Sequence, residues 1–264
     1  MKFSAFYHGE MGAQELICLT SFLKNGHQVE LYSYEREKVP PYFHWRNAEE
    51  ILPRSMLFYE NDPSHKGSLG AFSDVFRWEL LKKMGGIWID TDIFCISERW
   101  PEQDIFFAWQ DEALINGAVM KFPPHHDLVC EAADLSKEKG PNCTWGEVGP
   151  ILLTQLVKKY GIEDKALPPI SFYPAQYWWA TNIRDEGVSA TKLDEFRELG
   201  SVCIHLWNEC LRQSKIDKNQ PPKPGSLLSY MVEEYGLERF YMDFKDKLDF
   251  LTIKEKLREI FDSM

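Results

Sequence analysis

Gly85-Gly86-Ile87-Trp88-Ile89-Asp90-Thr91-Asp92-Ile93-Phe94-Cys95-Ile96 is the stretch on which the reading of this chain turns. β-Branched and aromatic residues fill it, as in a buried strand that runs into a polar turn, and the glycine pair ahead of it stops whatever comes before. What comes before is the strongest helical signal in the chain, residues 69–84, where Leu69, Phe72, Phe76 and Leu80 fall on one stripe. A helix feeding a buried strand is a unit of an α/β fold.

Working outward supports the same class. An alternating strand over residues 2–7 and a helical segment over 12–24 lead to Asn25-Gly26, a helix stop, and then to a second strand over 27–34. Past the central stretch, strands are expected at 104–110 and 114–122 and helices near 126–138 and 149–160. A last strand is expected at 202–207, and the chain beyond the Pro-rich segment 220–224 reads as helical. With 264 residues and 44% hydrophobic content, one large core is expected. The expected organisation is a single domain, 1–264, with a helical C-terminal appendage from about residue 225.

The net charge of -11 argues against a nucleic-acid partner, because phosphate backbones need a basic surface. No run approaches the roughly 20 apolar residues that span a bilayer, and the N-terminal residues lack a signal-peptide plan. The six cysteines, Cys18, Cys95, Cys130, Cys143, Cys203 and Cys210, are dispersed without a CxxC pair. Reduced thiols in a cytoplasmic protein, with peripheral association at the inner face of a membrane allowed, are the expectation.

In an extended chain Asp90 and Asp92 project from one face. Two adjacent carboxylates repel, and apolar flanks make solvation a poor remedy. A hard divalent cation resolves the repulsion, since it accepts one or two carboxylates and leaves its other positions to phosphate oxygens and water. On the preceding helix, Asp74 and Arg77 are i,i+3 neighbours beside Gly70, able to offer an acceptor and a cationic fork to one ligand, or to form an ordinary surface ion pair.

The segment Gly70-Ala71-Phe72-Ser73-Asp74-Val75-Phe76-Arg77, continued by Gly85-Gly86-Ile87-Trp88-Ile89-Asp90-Thr91-Asp92, closely resembles the sugar-binding DXD region of glycosyltransferase family 32. Relatives of that family include the α-1,4-glycosyltransferases and bacterial capsular or lipopolysaccharide sugar transferases. The resemblance covers residues 66–96, with weaker echoes at Asn116-Gly117-Ala118-Val119, at 146–150 and at His205-Leu206-Trp207-Asn208. It implies a GT-A fold, α/β with a central mixed sheet. It also implies a metal-dependent, retaining transfer of a sugar from a nucleotide-sugar donor, UDP-linked, to an acceptor glycan or glycolipid, in bacterial surface polysaccharide synthesis.

By this resemblance Asp92 ligates Mn²⁺ or Mg²⁺, Asp90 contacts the metal or the donor ribose, and His205 is a candidate third ligand. Asp74 and Arg77 contact the donor sugar or phosphate, Asn116 lies near the anomeric carbon, and Trp207 and Asn208 line the pocket. Tyr7 and His8, after the first strand, stand where such enzymes meet the nucleotide base. Glu147 is a further polar candidate, and the aromatic cluster Phe172, Tyr173, Tyr177, Trp178 and Trp179 offers either acceptor platforms or core.

Rival readings fit less well. A haloacid dehalogenase-type phosphatase expects Thr or Val two residues after its second Asp, where this chain has Phe94, and an EF-hand loop meets Pro101 at its twelfth position. A catalytically inactive transferase fold serving as a binding module is the remaining alternative.

Overall fold

A computed structural model describes residues 1–244 apart from Glu186 and Ala190; the rest of the helical segment expected from about residue 225 lies outside them. Strand β1 (Lys2–Phe6), helix α1 (Ala13–Lys24) and strand β2 (Gln28–Ser33) form a βαβ opening with the strands parallel, and β3 (His44–Asn47) continues the parallel pairing beyond β2. Helix α2 (Gly70–Met84) feeds β4 (Gly86–Ile89), parallel to β1 on its other side. β5 (Ile93–Cys95) leaves this sheet. β6 (Phe106–Trp109) and β7 (Ile115–Phe122) return as a hairpin, with β7 antiparallel to β4. Helices α3 (Asp127–Lys139) and α4 (Pro150–Tyr160) precede the short strand β8 (Ala166–Leu167). Helix α5 (Lys192–Glu198), strand β9 (Cys203–His205), α6 (Asn208–Gln213) and α7 (Leu227–Glu234) complete the described elements.

The result is a seven-stranded mixed sheet in the order β3-β2-β1-β4-β7-β6-β8, together with a two-stranded ribbon, β5-β9. This is the α/β architecture with a central mixed sheet that the sequence led us to expect. Period-two alternation divides the strand residues between two apolar layers. Phe3, Ala5, Ile87 and Ile89 pack with α1, the β5-β9 ribbon and α7, whereas Phe6, Trp88, Met120 and Phe122 pack with α2, α3 and α4. Leu227, Met231, Leu237, Phe240 and Tyr241 sit in the first of these layers, so the described part of the segment after residue 225 contributes to the main core.

The central stretch departs from expectation in one respect. The apolar run 87–96 is two strands in two different sheets, and Asp90-Thr91-Asp92 is the turn between them, closed by Ile93 N donating to Asp90 O. The last strand is likewise shorter than residues 202–207, because Trp207 adopts φ 53°, ψ 54° and starts α6. Neither break has a local glycine or proline to announce it. Tertiary pairing imposes both.

The α2–β4 junction does carry such a signal. Gly85 and Gly86 have φ of +61° and +92°, and a Cβ on Gly85 would lie 2.5 Å from Pro124 N. Gly85→Ala should therefore combine a left-handed strain with a clash against backbone and destabilise the fold by about 2 kcal/mol or more. Urea denaturation measures this; a loss below about 0.5 kcal/mol would show that the junction can relax.

Candidate functional site

The carboxyl ends of the parallel strands β1, β2 and β4 lie along one edge of the sheet, where open α/β sheets place their ligands. Tyr7 and His8 follow β1, Glu35 follows β2, and Asp90 follows β4. His8 Nδ1 stands 3.6 Å from Glu35 Oε2, and Glu35 also meets Lys38 and Arg54. Burial holds the His8 imidazole below its usual value despite the Glu35 charge. Tyr7 donates through its hydroxyl to Glu10 O, and burial, then the Glu15 charge, raises its phenol.

The expected pairing of Asp90 and Asp92 on one strand face is not what forms. Because the chain turns between them, their side chains take different partners. Asp90 shares the face of Trp88, the residue two before it, and looks to the α2 layer: its Oδ1 accepts from Trp88 Nε1 at 2.7 Å and from Arg77 Nη2 at 2.6 Å. Asp92 looks to the β5-β9 ribbon, where its Oδ2 lies 3.2 Å from His205 Nε2 and accepts from Asn208 N at 2.8 Å. Burial alone would raise the Asp92 carboxyl; the His205 charge and hydrogen bond and the Asn208 amide outweigh it and hold the carboxyl below its usual range.

Arg77 is 4% exposed and joins Asp90 to Asp74, whose Oδ1 is 2.7 Å from Nη1, while its guanidinium lies over the Trp88 ring. The i,i+3 pair is therefore a buried bridge, with neither a surface ion pair nor a free fork. Two glycines outside the helix make the space for it. A Cβ on Gly117 would come 2.7 Å from Arg77 Nη1, and one on Gly149 would come 2.4 Å from Asp74 Oδ2. These give a steric reason for the Asn116-Gly117 and 146–150 echoes noted in the sequence.

Asn116 does not reach either aspartate. Its Nδ2 donates to Gln110 Oε1 at 2.7 Å and its Oδ1 accepts from Ala118 N, while Ala118 O accepts from Asp90 N. Trp207 lies against His205, with ring centroids 3.9 Å apart and planes tilted by 33°, and donates through Nε1 to Ala175 O. Asn208 adds to its backbone contact a side-chain one, Nδ2 to Glu15 Oε1 at 2.8 Å. Glu15 is fully buried on α1, accepts from Gly12 N and pairs with Lys218, while Gln14 beside it contacts Asn208 and Arg184.

Sequence reading missed Glu15, Gln14, Arg184 and Lys218 altogether. Their partners lie far away along the chain, and no local pattern marks them. Glu147 is bound to Lys139 and Thr144, whose hydrogen bonds hold its carboxyl down at about 2, and it takes no part in this network. The aromatic cluster divides: Phe172 and Tyr173 are core, while Tyr177 and Trp178 are exposed.

Among the described residues, no three His, Cys, Asp or Glu side chains cluster closely enough to hold a metal between them. The donors at hand are the Asp92–His205 pair, with His205 Nδ1 buried and without a hydrogen-bond partner among the described residues. The Asp92 carboxylate, with phosphate oxygens and water, suits Mn²⁺ or Mg²⁺, and His205 adds a ligand only as a neutral imidazole released from its contact with Asp92.

Asp74 makes a pH test possible. Burial pushes its carboxyl from 3.8 up to about 6, against the pull of Arg77, and the Asp90 and Glu60 charges add to the rise. A carboxyl raised on folding contributes stability that is complete below its unfolded value and lost as pH rises through its folded one. Between about pH 4 and about pH 6 the wild-type melting temperature should fall relative to that of Asp74→Asn. A constant difference across that window would place the Asp74 titration back at its ordinary value.

Comparison with known proteins bears on the same region. Residues 63–116 match the family model described as capsular polysaccharide synthesis protein. Lactosylceramide 4-alpha-galactosyltransferase of Mus musculus is 29% identical over 152 residues, covering 53% of this chain and 42% of that protein. Alpha-1,4-N-acetylglucosaminyltransferase of Homo sapiens is 25% identical over 206 residues, covering 74% of this chain and 57% of that protein. The chain thus spans about half the length of these curated relatives. Among solved structures, the PaToxG glycosyltransferase aligns with a TM-score of 0.45 at 12% identity, over 89% of this chain and 84% of its own. The apo form of the glycosyltransferase GlyE of Streptococcus pneumoniae TIGR4 aligns with 0.43 at 12% identity, over 93% and 63%. Over residues 63–116, which carry Asp74, Arg77, Asp90 and Asp92, this chain is similar to capsular polysaccharide synthesis proteins, and over 53% and 74% of its length it is similar to these two glycosyltransferases.

Proposed function

We propose that this chain is a GT-A glycosyltransferase that moves a sugar from a nucleotide-sugar donor, UDP-linked, to a hydroxyl of a glycan or glycolipid acceptor. The transfer retains the anomeric configuration, uses Mn²⁺ or Mg²⁺, and serves bacterial surface polysaccharide synthesis. The observation that carries the reading is the junction of Asp92, His205 and Asn208, which brings residues 116 positions apart into hydrogen-bond contact beside the Asp90–Arg77–Asp74 bridge. The alpha products named for the relatives favour retention from an α-linked donor.

Asp92 and His205 would hold the ion, which when bound neutralises charge gathering on the departing diphosphate. Asp92 is kept ionised and its rotamer fixed by His205 and the Asn208 amide. Arg77 and Trp88 fix Asp90 at the sheet edge, so one carboxylate oxygen is committed to the protein and the other is left for the donor ribose or the ion. Asp74 meets donor hydroxyls with the oxygen that Arg77 does not occupy. Tyr7 and His8, at the carboxyl end of β1, serve the base. In the reacting complex the bond from the anomeric carbon to the phosphate oxygen breaks with its electron pair going to the diphosphate. The acceptor oxygen bonds to that carbon on the same face, and the acceptor proton passes to the leaving phosphate.

Nucleoside diphosphate release from a panel of nucleotide sugars, with Mn²⁺ or with chelator, tests the proposal. One donor should be turned over only with metal, and Asp92→Asn should lower the rate by about 100-fold or more while the protein stays folded by circular dichroism. Turnover of no donor, or equal rates with chelator, would sink it.

A further inference from the structure

Away from the two aspartates, a cleft of about 850 Å³ opens between the β6–β7 turn and the segment around residue 176. Trp109, Gln110, Asp111, Glu112, Gln176 and Trp178 line it. We propose that this cleft is the acceptor subsite and that it selects an uncharged saccharide. The proposal rests on the glycosyltransferase reading above and names a substrate class for it.

Four observations converge on the cleft. Trp178 is 57% exposed, a large apolar face left in water where its neighbours Phe172 and Tyr173 are fully buried. Such a face suits the C–H side of a pyranose ring, which is apolar and flat enough to stack. Gln176 donates through Nε2 to Tyr173 O, while its Oε1 is buried with no donor among the described residues. A buried carbonyl without a donor is costly, and a sugar hydroxyl supplies one.

Charge sets the class. Among the described residues the lining contains two acids and neither lysine nor arginine. Asp111 is committed to the turn, accepting from Ala113 N, Leu114 N and Gln110 Nε2, which leaves Glu112 to face the ligand. Acidic lining repels sialylated, uronic or phosphorylated acceptors and accepts hydroxyl donors from neutral ones.

The cleft is also wired to both aspartates. Gln110 accepts from Asn116, whose own acceptor fixes Ala118, and Ala118 O holds the Asp90 amide. On the other side, the Trp178, Tyr177, Trp207 and His205 rings follow one another at 4.8, 6.1 and 3.9 Å between centroids, ending at Asp92. A saccharide in the cleft thus meets Gln110 and Trp178, the outer ends of two contact chains whose inner ends are the residues proposed to hold donor and ion.

The test uses two readouts on the full chain. Tryptophan fluorescence titrated with lactose, maltose or sialyllactose reads saccharide binding without any turnover, and acceptor KM reads it during transfer. Trp178→Ala should weaken neutral-disaccharide binding and raise acceptor KM about tenfold with donor KM little changed. Trp145→Ala, which removes an exposed tryptophan elsewhere, should leave acceptor KM as it was. Glu112→Gln should narrow the preference for lactose over sialyllactose. Neutral-disaccharide binding that survives Trp178→Ala, equal binding of sialyllactose by the wild type, or a parallel rise in donor and acceptor KM would each overturn the subsite. Failure of donor turnover in the wild type would instead strike the transferase reading, and the fluorescence titration would still decide whether the cleft binds sugar.

Discussion

Arg77 and the two carboxylates it joins constrain everything around them. A guanidinium 4% exposed needs compensating charge on its forks, and Asp74 from its own helix and Asp90 from the next strand supply it. This bridge ties α2 to the end of β4 across the layer interface, with the Trp88 ring beneath the cation and the Trp88 indole donating to the same Asp90 oxygen. Removal of Arg77 would leave two buried carboxylates facing each other without their cation. The surrounding chain is built to the bridge's dimensions: Gly117 and Gly149 come from separate elements, and a single methyl on either would strike Arg77 or Asp74.

Once Asp90 is held on the α2 side, the turn after it must carry the chain to the other layer, because β5 pairs with β9 over α1. Asp92 lies at that crossing. Its carboxylate is buried and ionised because His205, at the end of β9, and the first amide of α6 both face it. The left-handed conformation of Trp207 swings the chain from strand to helix at that point and directs the Asn208 amide at Asp92. The two aspartates of one Asp-x-Asp motif therefore serve two layers. One is fixed by a cation from a helix, the other by an imidazole and an amide from a remote strand end. Such a division gives the proposed donor site two separately supported carboxylates.

The same geometry explains why the elements of the sheet were legible in the sequence and their junctions were not. Strands β1, β2 and β7 and helices α1 to α4 follow from local periodicity, glycine stops and β-branched runs, and they form close to where those signals place them. The break inside Ile89-Asp90-Thr91-Asp92-Ile93 has no such signal. An apolar run reads alike whether it forms one strand or two, and only the hydrogen-bond partners of β4 and β5 differ.

For the candidate site, the sequence alone determined the residue types and their grouping: Asp74 with Arg77 on one helix face, Asp90 with Asp92 after a glycine pair, and His205 with Asn208 near the end of the chain. Those choices are local, set by helical and strand periods and by a motif short enough to read. Tertiary structure alone decided which of them meet. It turned the two aspartates apart, placed Arg77 inside a bridge, set Asn116 against Gln110 and brought Glu15, Gln14 and Lys218 to the far side of Asn208. Contacts between residues nearly two hundred positions apart depend on how layers pack, and no spacing along the chain encodes that distance.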